Sequence, residues 1–465
     1  MEQNQASYLQ ATLDELRHRH GVVGASLAIL HGGVLETAAS GVLSRETLVP
    51  VTADSLFQVG SITKVFTATL VMQLVDEGLV DLDQTVQTYL PQLCTAQAVA
   101  CRQVTVRQLL CHTSGLEGDF FPEDDPFGPS IAGFVERCRL LPQLHPVGER
   151  FSYCNSGYTI VGRLLEVVTG RPWARLMQER ILEPLGLQQA LVDPADALRF
   201  RVAMGHLRGE GEDSAHCVAP KCYLPLSHAP AGTVLSMSAT DLLGFARAHM
   251  DGSSEQAGTL LSAVSRDAMQ QPQVALPRHS PPAMTHWGLG WIVGRSNGET
   301  VVSHYGGTLG QLAYLRCFPR RGLALAVLTN SDSMGLYEEL EAELLSGIAG
   351  ITLPRDARGA GPAGPADRFV GCYQNMAQRI EVIVGDDGLV ARRCELAQPD
   401  TVVASRLAPI DSDCFAARWP RSSTQQTIAF LDQDSAGRAR YLSIGFRLLR
   451  RVTNGDSCAA FEGSL

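Results

Sequence analysis

Apolar positions along the chain follow helical spacing in some stretches and strand spacing in others, and the alternation outlines an architecture. From Met1 to Arg17, Tyr8, Leu9, Leu13 and Leu16 form one stripe on an otherwise polar segment, as on a surface helix. Val22 to Leu30 is apolar, His31-Gly32-Gly33 is turn sequence and Val34 to Val42 returns, which predicts a hairpin. From Ser61 to Glu77 the residues Ile62, Val65, Phe66, Leu70, Val71, Leu74 and Val75 cover more than one helical face, so this helix is expected at the centre of a core, stopped by Gly78. Helical patterns then dominate to about residue 190. One runs from Gly157 to Thr169 and stops at Gly170-Arg171-Pro172; another follows Ser238 and extends to His249, with Asp241 placed for a capping interaction.

Strand patterns return at Thr300 to His304, Leu312 to Phe318 and Leu323 to Thr329, with Pro319-Arg320-Arg321-Gly322 as the turn between the last two. Strands at both ends and helices between them predict an α+β plan: one antiparallel sheet flanked by helices, with a helical lobe inserted. Residues 353–367 hold three prolines and three glycines among alanines, the composition of a linker. Beyond it lie short alternating runs at Phe369 to Tyr373, Ile380 to Val384, Leu389 to Arg393, Thr401 to Leu407, Thr427 to Leu431 and Tyr441 to Arg451. They predict a small all-β barrel or sandwich over residues 368–465, after a first domain over 1–352.

The chain has 465 residues with 45% hydrophobic and 18% charged, and a net charge of −10. That balance suits a globular protein and disfavours nucleic acid as a partner. No apolar run has membrane-spanning length, and the N-terminus lacks a basic segment followed by an apolar one, so a cytoplasmic protein without membrane association is expected. The 12 cysteines are dispersed, without C-x-x-C pairs, which favours free thiols; Cys154, Cys317 and Cys372 sit in apolar segments. No cysteine–histidine cluster has zinc-ligand spacing, and no metal or cofactor is expected.

Only two lysines occur, Lys64 and Lys221, and Lys64 stands three residues after Ser61. On one helical turn, positions i and i+3 share a face, so the amine can reach the hydroxyl. A serine hydroxyl is a weak nucleophile until a neighbour takes its proton, and burial at a helix start favours the neutral amine that can do so. A second segment, Tyr153-Cys154-Asn155, precedes a helix. A tyrosine there can relay a proton and an asparagine amide can meet both the lysine and a substrate carbonyl. A third, His304-Tyr305-Gly306-Gly307, ends a strand; its glycines let a substrate carbonyl approach, and a backbone N–H, that of Gly307, can pair with the N–H of Ser61 as an oxyanion hole. Each segment alone reads as readily as a cap, a turn or a core histidine. Their combination and order carry the chemistry.

In that order the three segments resemble the S-x-x-K, Y-x-N and K-T-G or H-x-G pattern of the serine β-lactamase and penicillin-binding-protein superfamily. Phe57 to Lys64, Leu109 to Leu116, Ala231 to Asp241 and Gly288-Leu289-Gly290-Trp291 resemble its class C-like branch, and the likeness spans about residues 8 to 350. The resemblance implies a β-lactamase/transpeptidase-like sheet and helical lobe with the site between them. It also implies Ser61 as nucleophile, Lys64 and Tyr153 sharing acid–base work, Asn155 and His304 positioning substrate, and Ser61, Gly306 and Gly307 binding the oxyanion. His304 stands where classical β-lactamases and transpeptidases carry a lysine, which points away from β-lactam hydrolysis and toward esterases, D-amino-acid peptidases and acyltransferases.

With a C-terminal β-domain (lipocalin-like) added, the chain looks most like the penicillin-binding-protein-type thioesterases, which release and macrocyclise nonribosomal peptides from carrier thioesters. That resemblance implies a peptidyl thioester as substrate and a carrier protein as partner. A cytosolic esterase or D-amino-acid peptide hydrolase, acting on small esters or amides, remains an alternative. So do a small-molecule acyltransferase and a binding module without catalysis. His112 reads as a helix-to-turn junction. Glu117, Asp119, Glu123, Asp124 and Asp125, with Phe120, Phe121 and Phe127, read as a solvated excursion or a lid.

Overall fold

A computed structural model describes residues 2–122, 130–209, 215–250, 260–278, 280–281, 283–332, 334–353, 363–420 and 425–452. The predicted hairpin is present as strands Gly24–His31 and Val34–Gly41 around Gly32 and Gly33, both with φ in the left-handed region that glycine tolerates. Gly24–His31 then pairs with Leu323–Thr329, some 290 residues later, so the two ends of this region join one sheet. The spatial order is Val34–Gly41, Gly24–His31, Leu323–Thr329, Leu312–Phe318, Glu299–Gly307, Ile292–Ser296, His286–Trp287 and Val274–Ala275, antiparallel throughout.

Alternation along the sheet sends Leu27 and Ile29 to one face and Ala28 and Leu30 to the other. The first face is covered by helices Glu2–Arg19 and Met334–Ala349, which bury Leu9, Leu13, Leu16, Leu336, Leu340 and Leu344 against it. Tyr8, expected on the same stripe, lies at the margin and donates from its hydroxyl to Glu343 (2.8 Å). The second face receives helix Thr63–Asp76, with 11 of its 14 residues buried, as expected for a helix apolar on several sides. It is surrounded by the helical lobe, which includes Asn155–Thr169, capped at Gly170 in the left-handed conformation, and Ala239–Arg247. At the start of the latter, Ser238 Oγ accepts from Asp241 N (3.1 Å). The Asp241 carboxylate turns to Gln189 N (2.6 Å) instead of closing the capping box. No described helix is long and apolar enough to cross a membrane.

The C-terminal region is a closed barrel of eight strands in sequence order from Gly371–Gln374 to Arg447–Arg451, which pair to close it. Its interior is filled by Phe369, Tyr373, Phe415, Phe430, Ile428 and Leu442. Packed aromatic rings (Phe369 and Phe430 at 4.7 Å) leave it a core rather than a ligand cup. The barrel has one strand that the sequence pattern missed and one expected run that divides in two. Cys414–Ala417 is a strand too short and too uniform to show alternation. The single run Tyr441 to Arg451 is two strands, Ala439–Ile444 and Arg447–Arg451, joined by Gly445-Phe446 with φ of 55° and 67°. This is the backbone twist of a two-residue hairpin loop, disguised by a phenylalanine where Asn-Gly is usual. Most of the expected linker, residues 354–362, lies outside the described residues.

Candidate active site

Gly60, Ser61 and Ile62 form a single 3₁₀ turn that leads into the central helix. A Cβ on Gly60, whose φ is 53°, would stand 2.6 Å from Gly307 N; one on Gly306 would stand 1.9 Å from Val59 O and 3.0 Å from Ser61 N. The glycines at both positions therefore let the end of strand Glu299–Gly307 press against the start of the helix, which places the Gly306–Gly307 backbone beside Ser61.

Ser61 is partly exposed, whereas Lys64 is fully buried one turn later. Lys64 Nζ lies 3.1 Å from Ser61 Oγ, 2.7 Å from Asn155 Oδ1 and 2.6 Å from Ala231 O. Burial, reinforced by the Arg447 charge, holds the lysine well below its ordinary pKa. A neutral amine has two N–H donors and a lone pair. Asn155 Oδ1 and Ala231 O can only accept, so they take the two donors, and the lone pair remains for the hydroxyl proton of Ser61.

The Tyr153-Cys154-Asn155 segment is held at every residue. Tyr153 N donates to Phe446 O (2.8 Å), at the tip of the barrel's last hairpin. Cys154 N donates to His112 Nδ1 (2.9 Å), and Cys154 Sγ accepts from Gly157 N (3.2 Å) at the helix start. Asn155 Nδ2 donates to Asp119 Oδ1 (2.7 Å). The Tyr153 ring has Lys64 Nζ 4.8 Å from its centre, the Arg447 guanidinium at 5.0 Å and the His112 ring at 4.4 Å. Burial pushes its phenol pKa up, partly offset by the neighbouring Ser61, so the phenol is neutral.

His304 is buried, with Nδ1 2.7 Å from Tyr305 O; a carbonyl only accepts, so Nδ1 carries the proton and Nε2 the lone pair. Burial, then the nearby Lys64, pushes its pKa down to about 3. The ring stands edge-on to Trp287 at 5.3 Å. It is a neutral imidazole and carries no positive charge for a substrate carboxylate.

The structure thus brings together Ser61, Lys64, Tyr153 and Asn155, with the Gly306–Gly307 backbone against Ser61 and His304 near enough to Lys64 to feel its charge. It adds residues read otherwise from sequence. The stretch beginning at Glu117 is not a solvated excursion at its start: Glu117 is buried and its Oε2 accepts from Met376 N of the barrel (3.0 Å), while Oε1 accepts from Gly118 N (2.9 Å). Burial raises its pKa to about 7. Asp119 is paired with Arg447 through Nε to Oδ2 and through Nη2 to Oδ1 (3.3 Å). Phe120 O lies 2.8 Å from His228 Nε2. Glu123, Asp124, Asp125 and Phe127, and with them the lid reading, lie outside the described residues. His112 is a buried scaffold residue under the Tyr153 ring and takes the left-handed conformation (φ 60°) to get there. Arg447 carried no sequence signal beyond following a disguised turn.

This arrangement can deprotonate a serine, place a carbonyl against backbone N–H groups and return the proton to a leaving group, which is serine acyl transfer. The Beta-lactamase family profile matches residues 9–347. The chain belongs to the β-lactamase family. "Penicillin-binding protein 4" of Amycolatopsis lactamdurans is 42% identical over 352 residues, spanning 75% of this chain and 91% of that protein. A crystal structure of SurE superposes with a TM-score of 0.77 at 30% identity, covering 97% of this chain and 100% of the other, and SurE has also been solved with D-Leu. The D-amino acid amidase of Ochrobactrum anthropi SV3 superposes at 0.62 with 25% identity over 75% of this chain and 99% of its own. The protein is a serine hydrolase or acyltransferase on a β-lactamase fold, extended by a barrel.

Proposed function

We propose that this protein is a stand-alone thioesterase that accepts a nonribosomal peptide from a carrier thioester onto Ser61 and releases it by macrocyclisation. The observation that carries the reading is the full-length likeness to SurE, barrel included, joined to the contact of the barrel's Phe446–Arg447 tip with Tyr153. The likeness to the D-amino acid amidase covers only 75% of the chain.

In the proposed reaction Ser61 Oγ attacks the thioester carbonyl while its proton passes to Lys64 Nζ. The N–H groups of Ser61 and Gly307 stabilise the oxyanion, and the C–S bond breaks as the proton passes through Tyr153 to the leaving thiol. The peptide's own amine then attacks the Ser61 ester, gives up a proton along the same route, and leaves as a lactam while Ser61 regains its hydroxyl. Holding the amine near the ester replaces an encounter with an intramolecular step, an advantage of about 7–11 kcal/mol at best. Excluding water is what separates lactam from acid. Asn155 orients Lys64. His304, as a neutral imidazole, orients the substrate and proton network without demanding a carboxylate on it.

A hydrolytic reading, in which water attacks the acyl-enzyme on D-configured substrates, is favoured by the likeness to the D-amino acid amidase. Incubation with a short peptidyl thioester ending in a D-residue separates the two by mass. A product one water lighter than the free acid, made by the native protein and not by Ser61→Ala, is expected. Free acid as the sole product would replace cyclisation with hydrolysis.

A further inference from the structure

We propose that Asp119 is a positioning residue: clamped by Arg447 of the barrel, its carboxylate locks the Asn155 amide in the orientation that keeps the Lys64 lone pair directed at Ser61. An asparagine amide can present either its oxygen or its NH₂ group to a neighbour. With the oxygen toward Lys64 (2.7 Å), the amide receives one lysine N–H. Turned over, its NH₂ would seek the lysine lone pair, in competition with the Ser61 proton. Asp119 Oδ1, 2.7 Å from Nδ2, only accepts, and so forbids the turned-over state. Arg447 holds Asp119 in place through two guanidinium contacts, and Arg447 is itself fixed by the hairpin whose tip bonds Tyr153 N. The line Arg447–Asp119–Asn155–Lys64–Ser61 thus carries the seating of the barrel to the nucleophile.

The same pair sets the field at Lys64. Around the amine stand Tyr153 and Tyr158 at 4.8 and 5.6 Å from their ring centres. Cys154, His112, His228 and His304 also surround it, the three histidines with depressed pKa values and therefore neutral. Asp119 and Arg447 bring the charges that act on Lys64, and Glu117, with a pKa of about 7, acts in turn on both of them. Burial pushes the Asp119 pKa up, but Arg447, Asn155 and Lys64 outweigh it and bring it below its ordinary value, so it is ionised. Asp119 favours the lysine cation and Arg447 opposes it.

The inference rests on Ser61 acylation and is independent of whether the acyl group ends as lactam or acid. The test is the rate of Ser61 acylation of the full chain by p-nitrophenyl acetate, followed by p-nitrophenolate release and intact mass as pH is varied. Asp119→Ala is expected to slow acylation about 10²-fold, the lower end of what a disabled general base costs, with Asp119→Glu recovering part of it. Asp119→Asn, which keeps an acceptor for the amide but drops the charge, should shift the acid limb of the rate profile to lower pH. Arg447→Met should shift it to higher pH. Opposed shifts report the field of the pair at Lys64 and stay readable in Asp119→Asn and Arg447→Met even if Asp119→Ala fails to fold. A lower plateau rate in Asp119→Ala than in Asp119→Asn, which keeps the acceptor for the amide, reports the lock, since a salt bridge serving only to hold the barrel would leave the two plateaus equal. Wild-type acylation in Asp119→Ala, or limbs that stay fixed or move together, would overturn the inference. A native protein that is not acylated at Ser61 would overturn the serine reading itself, and this inference with it.

Discussion

Ser61→Ala is expected to lower turnover by on the order of 10⁶-fold, the scale on which removal of an activated nucleophile acts, and to leave the fold intact. The chemical loss is complete because every step of the proposed cycle passes through the Ser61 ester. The structural loss is small. Lys64 keeps Asn155 Oδ1 and Ala231 O as partners, and the neighbouring glycine contacts are backbone contacts that the serine hydroxyl does not enter. The melting temperature should therefore stay within about 3 °C, the shift that follows from roughly one lost hydrogen bond. Paired turnover and thermal melting of the purified variant decide it, and retained turnover would put the nucleophile elsewhere.

Lys64→Arg comes next in size, with an expected loss of about 10²–10⁴-fold from the missing base alone. Arginine stays protonated at any workable pH and has no lone pair for the Ser61 proton. The site adds a second penalty, because Lys64 is fully buried and its surroundings, burial first and then the Arg447 charge, already hold its pKa well below the usual lysine range. A permanent cation there costs several kcal/mol, so this variant should also melt earlier. Lys64→Met separates the effects: it removes the base without burying a charge, and should be as inactive as Lys64→Arg while melting closer to the native protein. In the native enzyme the acylation rate rises with pH as Lys64 loses its proton, and that limb should lie far below ordinary lysine titration. An active Lys64→Arg enzyme would remove Lys64 from the base role.

What could be read from the chain beforehand follows a physical line. The hairpin Gly24–His31 to Val34–Gly41, helix Thr63–Asp76 and strands Leu312–Phe318 and Leu323–Thr329 announce themselves, because periodic apolar positions and a glycine or proline stop act locally. So does the Ser61–Lys64 pair, one turn apart in a chain with two lysines. The failures are non-local. Glu117 and Asp119 sit in a run of acidic residues that composition assigns to solvent, yet they are buried by partners 259 and 328 residues away, Met376 N and Arg447. No local pattern encodes a carboxylate's distant partner. The hairpin Ala439–Ile444 to Arg447–Arg451 was hidden for a different reason. Phe446 takes a conformation that glycine or asparagine normally fills, held by its bond from Tyr153 N and by packing on Phe151 at 6.0 Å. Tertiary contact there overrides turn propensity, and the same override brings Arg447 to the site. His112 shows the milder case: the helix-to-turn junction is real, but its place under Tyr153 depends on where residue 153 ends up.

The most direct test of the central claim is rapid-quench intact-protein mass spectrometry with a short peptidyl thioester, followed by peptide mapping. The account predicts a transient gain of one peptidyl group, located on Ser61, that forms and decays at rates consistent with product release. Product release without any Ser61 adduct, or an adduct on another residue such as Cys154, would contradict it.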